Sequence, residues 1–567
     1  MKPFWTTFYS YKGGVGRSLA LANIAALLVR RGRRVVLIDF DLEAPGLDSF
    51  DEFKGVAGKP GVVEYVTQFK ATKRAPEITQ FVHHCDLPGP LRGQLWIMPA
   101  GKKDPHYNAC RANLSWADLY ENHHGEQFVE NWKAALDNHY HPDYVFVDSR
   151  TGLTDVGGIC TLHLPDLVVM LFGLNEQNVK GIAAVAKTIR ETELIRVPQI
   201  HYVASPVPNL PRDKGGSLDK RWAEASTDLG TKIESSLRYQ PFAALSEKLF
   251  VLDTQLQDNI LIGNYGDLLE RLIDYNRNGL DFLVRQVKAA TAEGDSPLMD
   301  RLFAILQEEY PDRPEALMAR ASIRQATGDY AGATALARQT LDLDPAFTAA
   351  FEWLVRNYKR ERNFSAALSL CNSVLAAAGR LDPRTLSSMH EHRGEVAMAA
   401  GHYEEAGYSF AYSLSRATEA DNPDPSAILV HSFNRAEALR RLVREPRPEV
   451  WQKVVSLFGE TGETAAAPLI LQANRLQAIH IAFAMIGDVG RAREALRKAA
   501  LAADILSSVE EIFTVKTFTN APVKDWLQIN DEMLAALDRG QLWDGMPLPP
   551  AKSSQETPAE SSQPPAQ

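Results

Sequence analysis

The chain has 567 residues, a formal net charge of −10, 45% apolar and 23% charged side chains. Single cores stop growing near about 250–300 residues, so this length implies several domains of ordinary folded composition. The acidic balance argues against a general nucleic-acid or acidic-membrane surface. The four cysteines (Cys85, Cys110, Cys160, Cys371) form no CxxC pair and imply a reducing, cytoplasmic setting, and no apolar run approaches the roughly 20 residues of a membrane helix.

The chain opens on an apolar, aromatic run, PFWTTFYS, with no signal-peptide pattern before it. Tyr11 to Ser18 follow as YKGGVGRS, and LALANIAALLV comes next. This order predicts a strand, a glycine turn and a helix over 18–31. The N–H groups of such a turn point inward and cradle phosphate, and the helix start adds positive dipole. Arg17 and Ser18 supply a cation and a hydroxyl where a phosphate and its metal need them. Further strands are expected at 33–40, 94–100, 144–148, 166–173 and 199–204, alternating with helices such as 126–138 and 176–193. Continuous apolar strands alternating with helices imply a parallel sheet covered on both faces. This α/β domain is placed at 1–285, its last part, from 245, mostly helical.

From about 295 the strand signal stops and alanine and leucine recur at helical spacing. GDYAGATALARQTLDLDP (328–345), RNFSAALSLCNSVL (362–375), GHYEEAGYSFAYSL (401–414) and GDVGRAREALRKAA (487–500) form a repeat. Phe364 follows Tyr330 by 34 residues. The spacing resembles the second half of a tetratricopeptide repeat, and Gly394 lies in the first helix of the third unit. Residues 425–470 are helical but match poorly. An all-α solenoid over 295–540 is expected, with the stacked pairs burying small residues against each other. The Pro/Ser/Gln-rich segment 546–567 reads as a disordered tail.

The motif departs from GxxxxGK[ST] at Tyr11 and Arg17 and fits the deviant form KGGxGK[ST] in all but Arg17. With VLIDFDLEAPGL (36–47), WIMPAG (96–101) and YVFVDSRTGLTD (144–155), the first half resembles the ParA/MinD-like branch of P-loop ATPases. KGGVGR with Ala44-Pro45-Gly46-Leu47 and Asp148-Ser149-Arg150-Thr151-Gly152 is similar to a variant subgroup, often fused to helical repeats. The resemblance implies Mg²⁺ and ATP as ligands. Lys12, Gly13, Gly14, Val15, Gly16, Arg17 and Ser18 would bind the nucleotide. Ser18, Asp39 and Asp148 would hold the metal. Lys12 would reach the phosphates of a second subunit in a homodimer, and Asp41 would orient the attacking water. Asp39 and Asp41 also read as loop-capping carboxylates. Arg17 keeps the positive charge and its fork can grip two oxygens, but it does not reproduce the point contact of Lys; binding with slow turnover is the expectation. Arg150 either reaches the γ-phosphate or pairs with a surface carboxylate.

Other candidates are weaker. A dinucleotide fingerprint fails because Leu19 stands where a third small residue belongs. His83-His84-Cys85 and His123-His124 lack paired zinc-site spacing and read as exposed histidines in polar loops. Ser205-Pro206 takes the place of an adenine-reading Asn, and Asn209 lies too far along, so adenine is implied by the resemblance alone. The basic stretch 212–221 reads as a solvated loop, nucleic acid is disfavoured, and the polar C-terminus offers no membrane anchor. The repeats imply a protein or peptide partner. The expected function is a cytoplasmic regulatory ATPase that couples nucleotide state or dimerisation to that partner, in bacterial signalling or conflict, including phage defence. Alternatives are an ATP-binding scaffold without turnover and a small-molecule phosphoryl-transfer enzyme of the same branch.

Overall fold

β1 (Phe4–Tyr9) lies inside an eight-stranded sheet, paired in parallel with β5 (Tyr144–Asp148) on one side and β6 (Leu167–Phe172) on the other. The computed structural model describes residues 2–550 except 90, 153–157, 193–196, 210–215, 257–258, 377–380, 421–422, 446, 462–467 and 506–510. The chain divides into two units, Met1–Tyr310 and Pro311–Gln567.

In the first unit, β2 (Arg34–Asp39), β3 (His83–Cys85), β4 (Gln94–Met98), β7 (Gln199–Val207) and β8 (Ser235–Arg238) complete the order β3-β4-β2-β5-β1-β6-β7-β8. All neighbours are parallel except β3, which runs antiparallel to β4 at one edge. Strand residues alternate between two covered faces. Val35 and Leu37 pack with α1 (Arg17–Arg30) and the later helix Ile260–Tyr275, while Val36 and Ile38 pack with α2 (Val62–Thr72) and the helix Gly125–Tyr140. Burial on both sides explains the near-continuous apolar runs. The remaining helices are α3 (Tyr107–Ala112), α4 (Trp116–Asn122), α5 (Gly125–Tyr140), α6 (Glu176–Glu191), α7 (Ser217–Leu229), α8 (Ile260–Tyr275), α9 (Leu280–Glu293) and α10 (Ser296–Glu309). The expected parallel sheet is present with all six expected strands, and an antiparallel edge strand is added to it.

Two strands carry no apolar run that would announce them. β8 is SSLR, and β3 is HHC, so His83-His84-Cys85 is an edge strand rather than a polar loop. His84 is exposed as expected, but His83 is half-buried with Nε2 2.8 Å from the Pro60 carbonyl, and Cys85 is buried. Of the basic stretch 212–221, residues 212–215 lie outside the described part and 217–221 begin α7.

The second unit is built of consecutive antiparallel helices. They are α11 (Pro314–Ala326), α12 (Tyr330–Leu343), α13 (Thr348–Arg360), α14 (Phe364–Ala376), α15 (Pro383–Ala400), α16 (Tyr403–Thr418), α17 (Pro425–Val443), α18 (Pro448–Thr461), α19 (Leu469–Met485) and α20 (Val489–Asp504). Tyr330, Phe364 and Tyr403 open α12, α14 and α16, so the sequence repeat marks equivalent helix starts. Gly394 is needed for close approach, because a Cβ there would stand 2.6 Å from the Phe410 ring of α16. The strand signal does not end at 295: β9 (Glu511–Thr514) and β10 (Thr519–Pro522) form a hairpin before α21 (Val523–Asp538). Its four-residue strands, one ending in Pro522, are too short and polar to stand out in an alanine-rich background. Buried Glu437 takes Arg440 and Arg441 at 2.7 and 2.8 Å, and Arg441 also donates to the Val515 carbonyl at 2.6 Å, fastening the hairpin to α17. Of the tail expected over 546–567, residues 551–567 lie outside the described part.

Two buried polar groups in the first unit set measurable stability. Arg33 grips Asp281 with Nε and Nη2 at 2.8 and 2.9 Å; burial alone would raise the Asp281 pKa, but Arg33 holds it below the usual carboxylate range. Asp281→Asn should cost about 3–5 kcal/mol in urea unfolding, because it strands a buried guanidinium. His201 is buried between Ser235 Oγ (2.7 Å) and Tyr275 Oη (3.2 Å), and burial pushes its pKa down to about 4. The unfolded chain therefore takes up this proton first as pH falls, and stability is lost from about pH 6.5 down through about 4, by roughly 3 kcal/mol. Comparing unfolding midpoints over that window should show a flatter curve for His201→Gln than for the parent.

Candidate nucleotide site

Strand register sets the site. Phe8 of β1 and Asp39 of β2 both stand opposite Asp148 of β5, so the carboxyl ends of three central strands reach the same edge. The glycine turn leaves β1 at this edge and enters α1. Gly14 and Gly16 have φ of +78° and +77°, a region that side-chain-bearing residues rarely adopt. A Cβ added at Gly13 or Gly14 would meet no atom within 4 Å, so this backbone faces open space. Val15 is pinned from below: its carbonyl accepts from buried Ser205 Oγ of β7 at 2.7 Å. Tyr11 rests against α6, where Gly181 leaves no room for a Cβ beside the ring. Lys12 Nζ donates to Gln177 Oε1 on α6.

Arg17 turns away from the glycine turn. Its side chain is 8% exposed, with Nε 2.5 Å from Asp148 Oδ1 and Nη2 2.8 Å from Asp41 Oδ2. Nη1 is buried and meets no hydrogen-bond partner among the described residues. Ser18 Oγ donates to the other Asp148 oxygen at 2.5 Å. A hydroxyl that gives its hydrogen to a carboxylate keeps its lone pairs for a cation. Asp39 is turned to its own loop: Oδ1 accepts from Asp41 N at 3.1 Å, and Oδ2 from Gly46 N and Leu47 N at 3.2 Å each. The loop-capping reading of Asp39 thus describes its contacts. Burial first, then neighbouring Asp148, holds the Asp39 pKa well above the usual carboxylate range. Arg17 stays protonated, because Asp148 and Asp41 outweigh its burial.

The loop after β2 has further ties. Glu43 pairs with Arg150 at 2.5 Å and with Arg111 of α3 at 3.2 Å, so Arg150 meets a surface carboxylate. Lys103, after β4, pairs with Asp48 at 2.6 Å. The structure thus gathers Gly13 to Ser18, Asp39, Asp41 and Asp148 at one edge. Asn209 is elsewhere, donating to the Tyr239 carbonyl at 3.1 Å. Gln177, Ser205 and Glu43 belong to this edge without a sequence signal for their roles, beyond the position of Ser205 in the strand end and Glu43 in the EAPG run. Among the described residues, no three His, Cys, Asp or Glu side chains converge as a metal-holding group. Mg²⁺ suits such a place, since it keeps several waters and takes few protein ligands. The open glycine backbone and the Ser18–Asp148 pair fit a magnesium nucleotide.

A glycine turn between a central parallel strand and a helix, with a buried aspartate ending the adjacent strand, defines a P-loop nucleotide-binding domain. The chain belongs to the CobQ/CobB/MinD/ParA nucleotide binding domain family (CbiA), whose model matches residues 6–293, about half of its length. Solved structures similar to it include the ParA family ATPase from Chlorobium tepidum TLS, 17% identical over 48% of this chain and 99% of that one, with a TM-score of 0.36. A putative plasmid partition protein from Borrelia burgdorferi B31 bound to AMPPNP is 17% identical, with coverages of 48% and 99% and a TM-score of 0.36. The septum site-determining protein MinD from Pyrococcus horikoshii OT3, complexed with Mg-ADP, is 14% identical, with coverages of 48% and 96% and a TM-score of 0.36. No curated protein matches the chain. No helix among the described residues is long and apolar enough to cross a membrane.

Proposed function

We propose that the chain is a regulatory ATPase of the deviant Walker A, KGGVGR type, in which a P-loop domain over 1–285 governs what tetratricopeptide-like repeats over 295–540 hold. The carrying observation is the open glycine backbone of Gly13–Gly16 ahead of Ser18 and Asp148. The N–H groups of 13–18 bind the α and β phosphates. Ser18 and Asp148 would hold Mg²⁺. Bound magnesium supplies neutralising charge to the phosphoryl oxygens. Asp39 acts one step back, fixing the loop that carries Asp41. Asp41 orients the attacking water. Lys12, now on Gln177, is the residue that crosses to a second subunit in a nucleotide-dependent dimer. Adenine is the proposed base.

Turnover is slow on this reading, because Asp41 and Asp148 are both engaged by Arg17. The same contact favours, as the second reading, an ATP-binding switch without turnover. The repeats hold a peptide or protein, with a place in bacterial signalling or conflict, in the cytoplasm. Paired helices that meet through Gly394 and buried alanines support a stacked array of this kind.

Phosphate release from Mg-ATP tests the proposal. The parent should turn over measurably, and Asp41→Ala should lower the rate on the order of 10²-fold while nucleotide affinity stays within about threefold. Equal rates in parent and variant would leave the switch reading; absence of nucleotide binding would remove both.

A further inference from the structure

In a loop that cradles phosphate, a basic side chain ordinarily serves the phosphate. Arg17 does something else here. It is the first residue of α1, immediately after the left-handed Gly16, so its backbone belongs to the glycine turn while its side chain runs into the protein. The planar fork bridges two carboxylates on different segments: Asp148, at the end of β5, and Asp41, two residues beyond β2. A lysine ammonium is a point charge with no fixed fork, and it would not hold that two-carboxylate geometry.

The loop 40–48 has several other anchors. Asp39 holds its amides at 41, 46 and 47, Tyr107 Oη donates to the Leu42 carbonyl at 2.8 Å, Lys103 takes Asp48, and Glu43 takes Arg111 and Arg150. These anchors lie on β2, α3, the segment after β4 and the segment after β5. Among the described residues, Arg17 is the side chain of the glycine turn that bonds to this loop. Any change in the turn is therefore transmitted to Asp41 through one guanidinium. Among the described residues, two of the three guanidinium nitrogens, Nε and Nη2, make the bridge, one to each carboxylate.

We propose that Arg17 is a positioning residue that reports occupancy of the glycine turn to the loop 40–48, by bridging Asp41 to Asp148. The inference rests on the reading of the turn as a nucleotide site. It assigns a role to the arginine that the ordinary lysine does not have: the bridge between two carboxylates requires the planar fork.

Arg17→Lys keeps the charge and removes the bridge. In the parent, Mg-ATP should change backbone hydrogen exchange over 40–48. In Arg17→Lys, compared at concentrations of Mg-ATP shown to be saturating by titration with a fluorescent ATP analogue, the nucleotide-induced change over 40–48 should disappear. Without nucleotide, exchange over 40–48 should be faster in the variant while β1, β2 and β5 remain protected. Asp41→Asn should reproduce both effects, and the double variant should add nothing further. It also supplies the reading if Arg17→Lys does not fold. The inference is overturned if Arg17→Lys, saturated with nucleotide, keeps the nucleotide-induced change, or if the parent shows no change on binding. A parent that binds no nucleotide would instead remove the function proposed above, and the nucleotide-free comparison would still decide whether Arg17 fastens the loop.

Discussion

Three carboxylates are buried at the carboxyl edge of one sheet, and a single guanidinium stands among them. Strand register enforces the crowding, since β2 and β5 are paired so that Asp39 and Asp148 are opposite each other. Buried like charges are costly unless hydrogen bonds and counter-charge meet them. The fold meets them in three ways. Asp39 turns back onto the amides of its own loop, Asp148 takes Ser18 and Arg17, and Asp41 takes the other arm of Arg17. The loop 40–48, the start of α1 and the end of β5 are shaped by this distribution. Burial and the neighbouring carboxylates raise the pKa of both Asp39 and Asp148, so the crowding is relieved by proton uptake as well as by Arg17.

The departures from the plain glycine-loop pattern have separate physical causes. Tyr11 replaces a glycine, and its ring needs the absent side chain of Gly181 on α6 to find room. Arg17 replaces a lysine, and its second arm reaches a carboxylate that a single ammonium would leave unpaired. Neither residue is damage to a motif. Each is accommodated by a feature elsewhere in the chain, the missing side chain of Gly181 in one case and the Asp41 carboxylate in the other. Such matched pairs are how a local rule is broken without loss of the fold.

Much of this was legible in the sequence. The six longer strands of the sheet announced themselves because burial on both faces demands uninterrupted apolar runs, and the repeat of Tyr330, Phe364 and Tyr403 fell on equivalent helix starts. The short strands were not legible, because β3, β8 and the β9–β10 hairpin owe their place to neighbours rather than to their own side chains. The motif positions of the site were readable, but the direction of Arg17 was not. Sequence gives a cation next to a phosphate loop; only the register of β2 with β5 shows two carboxylates closer at hand. Gln177 and Ser205 were hidden for a related reason: each meets the glycine turn from a strand or helix more than 150 residues away.

The two kinds of ion pair at this edge differ in what they can do. Glu43, Arg150 and Arg111 are substantially exposed, with side-chain accessibilities of 45%, 29% and 29%. Pairs of that kind are screened by solvent and contribute little each. They can be exchanged for water as the loop moves, so they guide its position without locking it. The Arg17 pairs are buried, where separation without replacement partners would expose bare charge to a poor solvent. The loop has other buried anchors in Asp39 and Tyr107, which hold its backbone, but among the described residues Arg17 is the one side chain of the glycine turn that bonds to it. The bridge is rooted in that turn, so a shift there reaches the Asp41 carboxylate directly, whereas the exposed pairs have no such root.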